Sequence, residues 1–427
     1  MNAIDRRIAP EVRPVNPKRL PEVVRERLPN GVELVVLDSG TQPVNRITFC
    51  WEAGGADVDN RAAYHLMCMM LTEGTLTRSG EEIADIFETC GAWVNVEPGQ
   101  HATLLNAYML NHTIDEILPL LCDIVETASL PEEILSPIRE KKASAVELSM
   151  KKVKTVAQMN STAITFGEQH PRNRYALAED YRAVGRSEVE GMYRKLIRGT
   201  VPRVYLCGRA DKTTVDKVRR EIGRISFGKS GVARRIIPAS YLPEGDMRYS
   251  RVEGSMQTAL RITIPTIPMS HGDFQLLRVA VFALGGYFGS RLMSNIREEN
   301  GYTYGISASL TPYQEGSFVT IACEGDNRYA GDITREIRNE IDRLASVPMG
   351  EEELSIIVNS MMSEIMTMFD SPFSIMDHWI FIDSFGKEAN NTELRMKLLQ
   401  NVAPADIKAV AGKYLSDAPW LVATAGG

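Results

Sequence analysis

The chain has 427 residues, of which 44% are hydrophobic and 24% are charged, a composition typical of soluble globular proteins. One hydrophobic core rarely organises so long a chain, so we expect two domains of roughly 200 residues each. The formal net charge is −7, and the basic residues are scattered rather than clustered. This charge pattern predicts no nucleic-acid partner.

Six cysteines are widely spaced and form no C-x-x-C pair, which predicts free thiols in a reducing compartment. The N-terminal residues lack the apolar segment of a signal peptide, and no later run approaches the roughly 20 apolar residues that span a bilayer. We therefore expect a cytoplasmic protein with no membrane partner, and a periplasmic location stays open.

The predicted elements of the first half alternate pairs of strands with helices. This order favours the α+β class, in which helices pack against a sheet. In chain order the sequence predicts an extended arm over 1–24, a strand after the Leu28-Pro29-Asn30-Gly31 turn, a strand over 45–53, helices over 62–71 and about 79–90, strands near 93–97 and 102–110, and long helices from about 112 to 160.

The second half of the chain resembles the first. Glu132-Glu133-Ile134-Leu135-Ser136 matches the segment 351–355 at an offset of 219, and 187–196 matches 405–414 at an offset of 218. A proline and an apolar strand follow in both halves. The repeat predicts two homologous α/β domains, each a sheet with helices packed on one face. Their predicted limits are 25–228 and 250–427, with a linker rich in glycine and proline at 229–249.

The helix predicted over 62–71 carries His65, Cys68 and Met69, and Gly74-Thr75 follows it. This segment resembles the zinc-binding segment of the pitrilysin and mitochondrial-processing-peptidase family. The H-x-x-E-H motif of that family places two histidines on one zinc ion and a glutamate beside the metal-bound water. Here His65 keeps the first histidine, whereas Cys68 stands at the glutamate position and Met69 at the second histidine. A thioether binds Zn²⁺ poorly, and a thiol does not replace a carboxylate as a base at neutral pH.

The same resemblance implies a third zinc ligand, a glutamate, within the segment from Arg139 to Glu147. Glu140 and Glu147 both match it, and their spacing of seven places them on one helix face, as an ordinary exposed charged face would do. We therefore expect no metal on this chain, with His65, Cys68, Met69 and Glu147 as degenerate positions. A reconstituted site of His65, Cys68 and Glu147 is the alternative. A lone histidine on an apolar helix is otherwise a hydrogen-bonded core or cleft residue.

The segment 284–305 contains a glycine-rich turn, Ser290-Arg291-Leu292, and then Arg297 and Tyr304 seven positions apart. Asn300-Gly301 predicts a helix end, so Arg297 belongs to the last turn and Tyr304 to the next strand. This segment resembles the same family, which implies that the two side chains hold the substrate backbone and the oxyanion opposite zinc. The alternative is an arginine that complements the helix dipole and a tyrosine that packs on a strand. The glycine spacing fits neither nucleotide-binding motif.

The resemblance extends over nearly the whole chain and implies one half of a two-domain clamshell. In heterodimeric peptidases of this family, one subunit keeps the zinc motif and the other keeps the arginine–tyrosine pair, and this chain has the second pattern. The sequence therefore favours a non-catalytic subunit that binds unfolded peptide and supplies Arg297 and Tyr304 to the active site of a zinc-bearing paralogue. Zinc is expected only in that partner.

Peptide is expected to bind along the strand formed by Trp93, Val94, Asn95 and Val96, because the family uses this region and an exposed edge strand accepts an extended peptide. Two alternatives remain for the function. One is a proteolytically inactive homodimer of the same fold with a structural or peptide-binding role. The other is an autonomous metallopeptidase with an altered zinc site.

Overall fold

The computed structural model describes residues 15–229, 231–386 and 390–427. The predicted N-terminal arm lies outside the described residues up to position 14, and 15–23 follow an irregular path. The strands in chain order are β1 (Val24–Arg27), β2 (Glu33–Asp38), β3 (Val44–Trp51), β4 (Trp93–Pro98), β5 (Thr103–Leu110), β6 (Arg203–Gly208), β7 (Asp246–Arg251), β8 (Gln257–Thr266), β9 (Thr303–Tyr313), β10 (Gly316–Asp326) and β11 (Leu421–Gly426).

Helices separate these strands in both halves. The α-helices in chain order are α1 (Arg61–Met70), α2 (Gly80–Thr89), α3 (Ile114–Thr127), α4 (Glu132–Met150), α5 (Val153–Phe166), α6 (Ala178–Ala183), α7 (Arg186–Met192), α8 (Lys212–Gly223), α9 (Phe274–Gly285), α10 (Ala330–Ser346), α11 (Glu351–Thr367), α12 (Pro372–Phe385), α13 (Thr392–Asn401) and α14 (Pro404–Ala411). Short π-helical segments cover Tyr193–Arg198, Met293–Glu299 and Gly412–Ser416, and 3₁₀ turns cover Asn111–Thr113, Pro171–Asn173 and Asn327–Tyr329.

The two sheets have the same topology. The first sheet has the strand order β1-β2-β6-β3-β5-β4, and the second has the order β7-β11-β8-β10-β9. When β1 is set aside, the two orders correspond strand by strand. The pairing directions correspond as well, because β2 runs parallel to β6 and β7 runs parallel to β11, while the other pairs are antiparallel. The predicted α+β class is confirmed, and β4 and β9 are equivalent edge strands.

The connection between the sheets is irregular. Its described residues form neither helix nor strand from Lys229 to Gly245, apart from the undescribed position 230. The first strand of the second sheet, β7, begins at Asp246, inside the last four residues of the predicted linker. Gly245 adopts φ +92° just before this strand, a conformation that side chains other than glycine rarely adopt.

Both faces of the first sheet are apolar. In β2, Leu34 and Val36 belong to the core formed with the helices of the first half, whereas Val35 and Leu37 belong to a cluster on the opposite face. This alternation follows from the two-residue period of a strand. A run of four consecutive apolar residues, 34–37, is typical of a strand covered on both faces. A second covering layer is therefore required.

The second layer comes from the other half of the chain. Helix α12 places Ile375, Met376 and Ile382 in the cluster on the far face of the first sheet. Helix α5 packs in the same way against β7, β8 and β11 of the second sheet, where Val153 and Ala157 share a cluster with strand residues. The ranges of α5 and α12 differ by the 219 residues of the sequence repeat. The two halves thus exchange equivalent helices, in addition to the helices that each packs on its own sheet.

A buried charge network also joins the halves. The imidazole of His101 lies between two carboxylates, with Nδ1 at 3.0 Å from Asp57 Oδ1 and Nε2 at 2.7 Å from Glu315 Oε1. Arg172 binds both carboxylate oxygens of Glu315 at 3.1 Å. The side chains of Asp57 and Glu315 are fully buried. Burial of charge is tolerated where each ion is paired and hydrogen-bonded, so these four side chains stabilise the fold as a unit.

Two further observations bear on the environment of the chain. The six cysteines, at positions 50, 68, 90, 122, 207 and 323, are buried and free. Of the helices in the described ranges, none combines the length and the apolar character needed to cross a bilayer.

Candidate functional site

His65 lies on α1 in a surrounding that disfavours a cation. The helix begins after Asn60, whose side-chain oxygen accepts a hydrogen bond from Ala63 N at 2.9 Å. Nδ1 of His65 lies 2.5 Å from the hydroxyl of Tyr181, and the two rings stack with centroids 6.1 Å apart. Burial, together with the charges of Lys142 and Arg61, lowers the pKa of His65 to about 4. The imidazole is therefore neutral at physiological pH, and Tyr181 engages one of its nitrogens.

Cys68 and Met69 do not replace the glutamate base and the second histidine of the motif. Cys68 is 4% exposed, and burial raises the pKa of its thiol to about 12. A thiol that stays protonated at neutral pH does not act as a general base. Met69 is 37% exposed and carries only a thioether.

The predicted third ligand is engaged in an ion pair. Arg182, on α6, places Nη1 2.7 Å from Glu147 Oε1 and Nη2 2.9 Å from Glu140 Oε1. Glu179 binds the same guanidinium at 2.9 Å. Hydrogen bonding to Arg182 lowers the pKa of Glu140, which keeps that carboxylate ionised. The glutamates of α4 thus have a cation from their own chain.

These side chains do not fit a zinc ion. Across 15–229, 231–386 and 390–427, no three His, Cys, Asp or Glu side chains lie together as a metal site would require. His65 is bonded to Tyr181, Cys68 is a protonated thiol and Glu147 is paired with Arg182. The structure therefore does not assemble the alternative site of His65, Cys68 and Glu147.

The zinc content of the purified chain tests whether α1 and α4 hold a metal ion. After dialysis, we expect fewer than about 0.1 zinc ions per wild-type chain, because no deprotonated ligand set is preformed. Replacing Cys68→Glu and Met69→His restores H-x-x-E-H and is expected to produce weak zinc binding. Adding Arg182→Ala is expected to strengthen it, because Glu147 is then free to bind the metal. The matched control is Arg186→Ala, which removes an ion pair with Glu190 within α7. Elemental analysis is the measurement, and stoichiometric zinc on the wild-type chain would contradict the description.

Arg297 and Tyr304 lie on either side of a sharp reversal of the chain. The π-helical segment Met293–Glu299 ends where Tyr302 N donates to Ile296 O at 3.0 Å, and Gly301 adopts φ +66°. Arg297 is therefore in the last helical turn, and Tyr304 is the second residue of β9. Both positions agree with what Asn300-Gly301 predicted for the local backbone.

The side chains of this pair point away from the protein interior. Tyr304 is 91% exposed, which excludes the alternative that it packs on the strand. The guanidinium carbon of Arg297 lies 4.6 Å from the ring centroid of Phe288, a residue that is itself 65% exposed. Within the part of the chain that the structure describes, no side chain forms an ion pair or hydrogen bond with the Arg297 guanidinium or the Tyr304 hydroxyl. By contrast, Arg291 binds both oxygens of Glu353, at 2.7 and 2.9 Å.

A cavity of about 730 Å³ opens beside Tyr304, on the face of the second sheet that α5 covers in part. Its lining includes the small or polar side chains of β9 and β10, together with Arg261 and Lys154. Tyr304 lines this cavity and Arg297 does not, so the structure does not bring both members of the pair into one cavity.

Arg261 and Lys154 were not among the predicted site residues. Arg261 interrupts the apolar strand β8, and its Nε is buried without a hydrogen-bond partner among the described residues. In the sequence, the signal for Arg261 was a charged residue inside an apolar strand. No local signal marks Lys154, because it reaches the cavity on the exchanged helix α5.

The predicted peptide-binding strand lies at the open edge of the first sheet. In β4, Trp93 is 56% exposed and packs on Tyr108 with ring centroids 5.2 Å apart. Val94, Asn95 and Val96 pair with β5 on one side only, among the described strands. Pro98 is the last residue of β4, so the strand ends where its backbone loses a donor.

The fold and the candidate site together define a peptidase-like protein of two repeated α+β halves. Its helix α1 keeps His65 but carries Cys68 and Met69 at the other two motif positions. Residues 183–361 match the family model described as the peptidase M16 inactive domain. The chain is 21% identical to an uncharacterized zinc protease of Streptomyces coelicolor, over 93% of this chain and 88% of that protein. It is 22% identical to an uncharacterized zinc protease of Rickettsia felis, over 82% of this chain and 84% of that one. These matches confirm the predicted resemblance, and they support a degenerate member of the M16 peptidase family.

Solved structures share the fold. A peptidase M16 inactive domain from Pseudomonas fluorescens superposes with a TM-score of 0.81 at 18% identity and covers 95% of this chain and 98% of that one. A protease from Helicobacter pylori gives a TM-score of 0.84 at 14% identity, covering 96% and 100%. The periplasmic protease PqqL from Escherichia coli gives 0.75 at 13% identity, and the match covers 99% of this chain but 49% of PqqL.

Proposed function

We propose that this chain is the non-catalytic subunit of a heterodimeric zinc peptidase, binding unfolded peptide and presenting Arg297 and Tyr304 to the active site of a zinc-bearing paralogue. One observation carries the proposal, namely the contrast between the two sites. Of the degenerate metal positions, His65 on α1 and Glu147 on α4 have polar partners within the chain. Arg297 and Tyr304 have no polar side-chain partner in the described ranges, and Tyr304 is 91% exposed.

The chemistry of the pair suits a reaction centre outside this chain. A guanidinium donates charge-assisted hydrogen bonds, and a phenol donates a single directional bond. Donors of this kind stabilise the oxyanion that forms when a peptide carbonyl is attacked. Because the described residues of this chain assemble no metal site, we expect the partner to activate the attacking water. An autonomous metallopeptidase is disfavoured for the same reason.

The comparisons support a role for this chain in a peptidase. Curated relatives from Streptomyces coelicolor and Rickettsia felis are named zinc proteases. The chain also matches about half of the protease PqqL over nearly its own full length. A chain that supplies one of two similar halves of a peptidase would give such a match.

Peptide binding along β4 leads to a test by substitution. Replacing Val96→Pro is expected to lower the affinity for an unfolded peptide about tenfold or more, because proline removes a backbone donor and hinders strand addition. Val96→Thr, which keeps the backbone donor and the strand propensity, is the matched control. Fluorescence anisotropy with a labelled peptide is the measurement. If both variants bind like the wild type, β4 is not the peptide-binding edge.

Partner choice distinguishes the proposal from an inactive homodimer. The chain is to be co-expressed with a paralogue that carries an intact H-x-x-E-H motif, followed by gel filtration with mass analysis. The proposal predicts a 1:1 complex of the two chains. A stable homodimer with no affinity for the paralogue would instead favour a structural or peptide-binding role, with Arg297 and Tyr304 as inherited parts of the fold.

A further inference from the structure

A second cavity lies at the opposite end of β9 from Tyr304. It has a volume of about 290 Å³ and is lined on one side by Leu310 to Pro312, near the end of the strand. Arg278 of α9, Arg395 of α13 and His378 of α12 complete the polar part of its lining. Three helices and an edge strand therefore bring two arginines and a histidine to one small cavity.

Within 15–229, 231–386 and 390–427, no carboxylate lies within ion-pair distance of the two arginines. Neither Arg278 nor Arg395 forms an ion pair or a side-chain hydrogen bond with any residue in the described ranges, and the Nε of Arg278 is buried without a partner. Burial and the neighbouring charge of Arg278 lower the pKa of Arg395 to about 10, and burial lowers the pKa of Arg278. Both remain cations at neutral pH. Two partly desolvated like charges that no described carboxylate pairs with are unfavourable, so a bound anion would stabilise this part of the fold.

The other titratable groups near the two arginines do not neutralise their charge. Glu364 of α11 is the acidic group that acts on both arginines, but its side chain is exposed and lies beyond ion-pair distance. His378 stacks on Phe381 with centroids 5.9 Å apart, and its Nε2 lies 3.4 Å from Thr392 Oγ1. Burial and the two arginines lower the pKa of His378 to about 4, so this ring is neutral and adds no positive charge.

We propose that Arg278, Arg395 and His378 form a binding site for an oxyanion, either a phosphate or the carboxylate of a ligand. Planar guanidinium groups bind both kinds of oxyanion through paired N–H donors. The cavity is at the lower limit of ordinary ligand cavities, so it admits a small anion or the end of a longer ligand.

The position of the cavity points to a second source of an oxyanion, namely the C-terminal carboxylate of a bound peptide. The residues Leu310 to Pro312 belong to β9, the edge strand of the second sheet. An extended peptide that adds to this edge and ends near Pro312 would place its terminal carboxylate at the arginine pair. A free phosphate ion and a peptide carboxylate are therefore the two sources to be distinguished.

Isothermal titration calorimetry on the isolated chain tests the site with inorganic phosphate, at an ionic strength held constant with sodium chloride. We expect the wild type to bind phosphate, and Arg278→Gln and Arg395→Gln each to lose affinity roughly tenfold or more, because each removes a charge-assisted hydrogen bond. The matched control is Arg343→Gln, an exposed arginine of α10, which should bind like the wild type. Both test variants remove an unpaired cation, so their thermal midpoints should not fall.

A second titration uses a seven-residue peptide with a free C-terminal carboxylate, and the same peptide amidated. Binding of the acid but not the amide, in competition with phosphate, identifies a peptide end as the ligand. Binding of phosphate alone identifies a free oxyanion. The proposal is overturned if neither probe binds the wild type, or if the Arg278→Gln/Arg395→Gln variant binds them equally well. No partner subunit is needed, so a negative result leaves the proposed peptidase role untouched.

Discussion

Replacing Arg297 by alanine is expected to lower kcat/KM of the complex with a zinc-bearing partner by roughly 100- to 1,000-fold. Its guanidinium is proposed to bind the oxyanion or the adjoining backbone of the bound peptide, and that contact strengthens as negative charge develops. The rate with a fluorogenic peptide is the measurement. Arg297→Lys should recover only part of the rate, because an ammonium lacks the planar fork of donors.

The matched control for this experiment is Arg335→Ala. Arg335 is an exposed arginine of the same half, and it pairs with Asp332 on α10. This variant should leave kcat/KM unchanged. Tyr304→Phe should reduce the rate less than Arg297→Ala, because it removes one neutral hydrogen bond. A complex that is equally active with Arg297→Ala and with wild-type chain would show that Arg297 does not act at the partner's site.

Replacing Glu315 by glutamine is expected to lower the free energy of unfolding by about 3–5 kcal/mol. The carboxylate is buried between Arg172 and His101, so its loss leaves Arg172 without its ion-pair partner and leaves His101 with Asp57 alone. Urea unfolding followed by tryptophan fluorescence is the measurement. Glu324→Gln is the control, because its exposed carboxylate lies 3.9 Å from Lys154, and we expect a change within about 0.5 kcal/mol. Equal stabilities of the two variants would contradict a role of the network in holding the halves together.

The same network sets the pH dependence of stability. Burial opposes the charge on His101, but Asp57 and Glu315 outweigh it and raise the pKa of His101 above its ordinary value of 6.5. This contribution is complete below pH 6.5 and is lost as pH rises through the folded-state pKa. Burial likewise opposes the charge on Glu315, but His101 and Arg172 lower its pKa from 4.5 to about 2, so its contribution is lost as pH falls from 4.5 towards 2.

The network is therefore strongest between pH 4.5 and 6.5. Unfolding free energies measured at a series of pH values should decrease as the pH rises above 6.5 in the wild type, and this decrease should be smaller in His101→Gln. The two proteins would show parallel pH profiles if His101 were not charged in the folded state.

Local signals in the sequence account for much of what was predicted correctly. The α+β class follows from the alternation of strands and helices, and the repeat at an offset of 219 reappears in the matching ranges of α5 and α12. The Asn300-Gly301 pair fixes the helix end that separates Arg297 from Tyr304. Each of these features depends on residues that are close in sequence, where periodicity and turn chemistry act.

The features that were missed depend on contacts between distant residues. Apolar periodicity shows that α5 and α12 have apolar faces, but it does not show which sheet each one covers. Arg182 meets Glu140 and Glu147 from another helix, and Glu315 meets His101 across more than 200 residues of chain. Pairs of this kind leave no periodic pattern in a single sequence. The four consecutive apolar residues of β2 are a sequence sign that the first sheet is covered on both faces.

We propose that this chain completes an active site whose zinc lies in another subunit. The most direct test is peptide cleavage by three samples, namely this chain alone, a paralogue with an intact H-x-x-E-H motif alone, and the two mixed in equal amounts. We predict that each chain alone is inactive and that the mixture cleaves peptide until a chelator removes the zinc. Chelator-sensitive cleavage by this chain alone would contradict the claim.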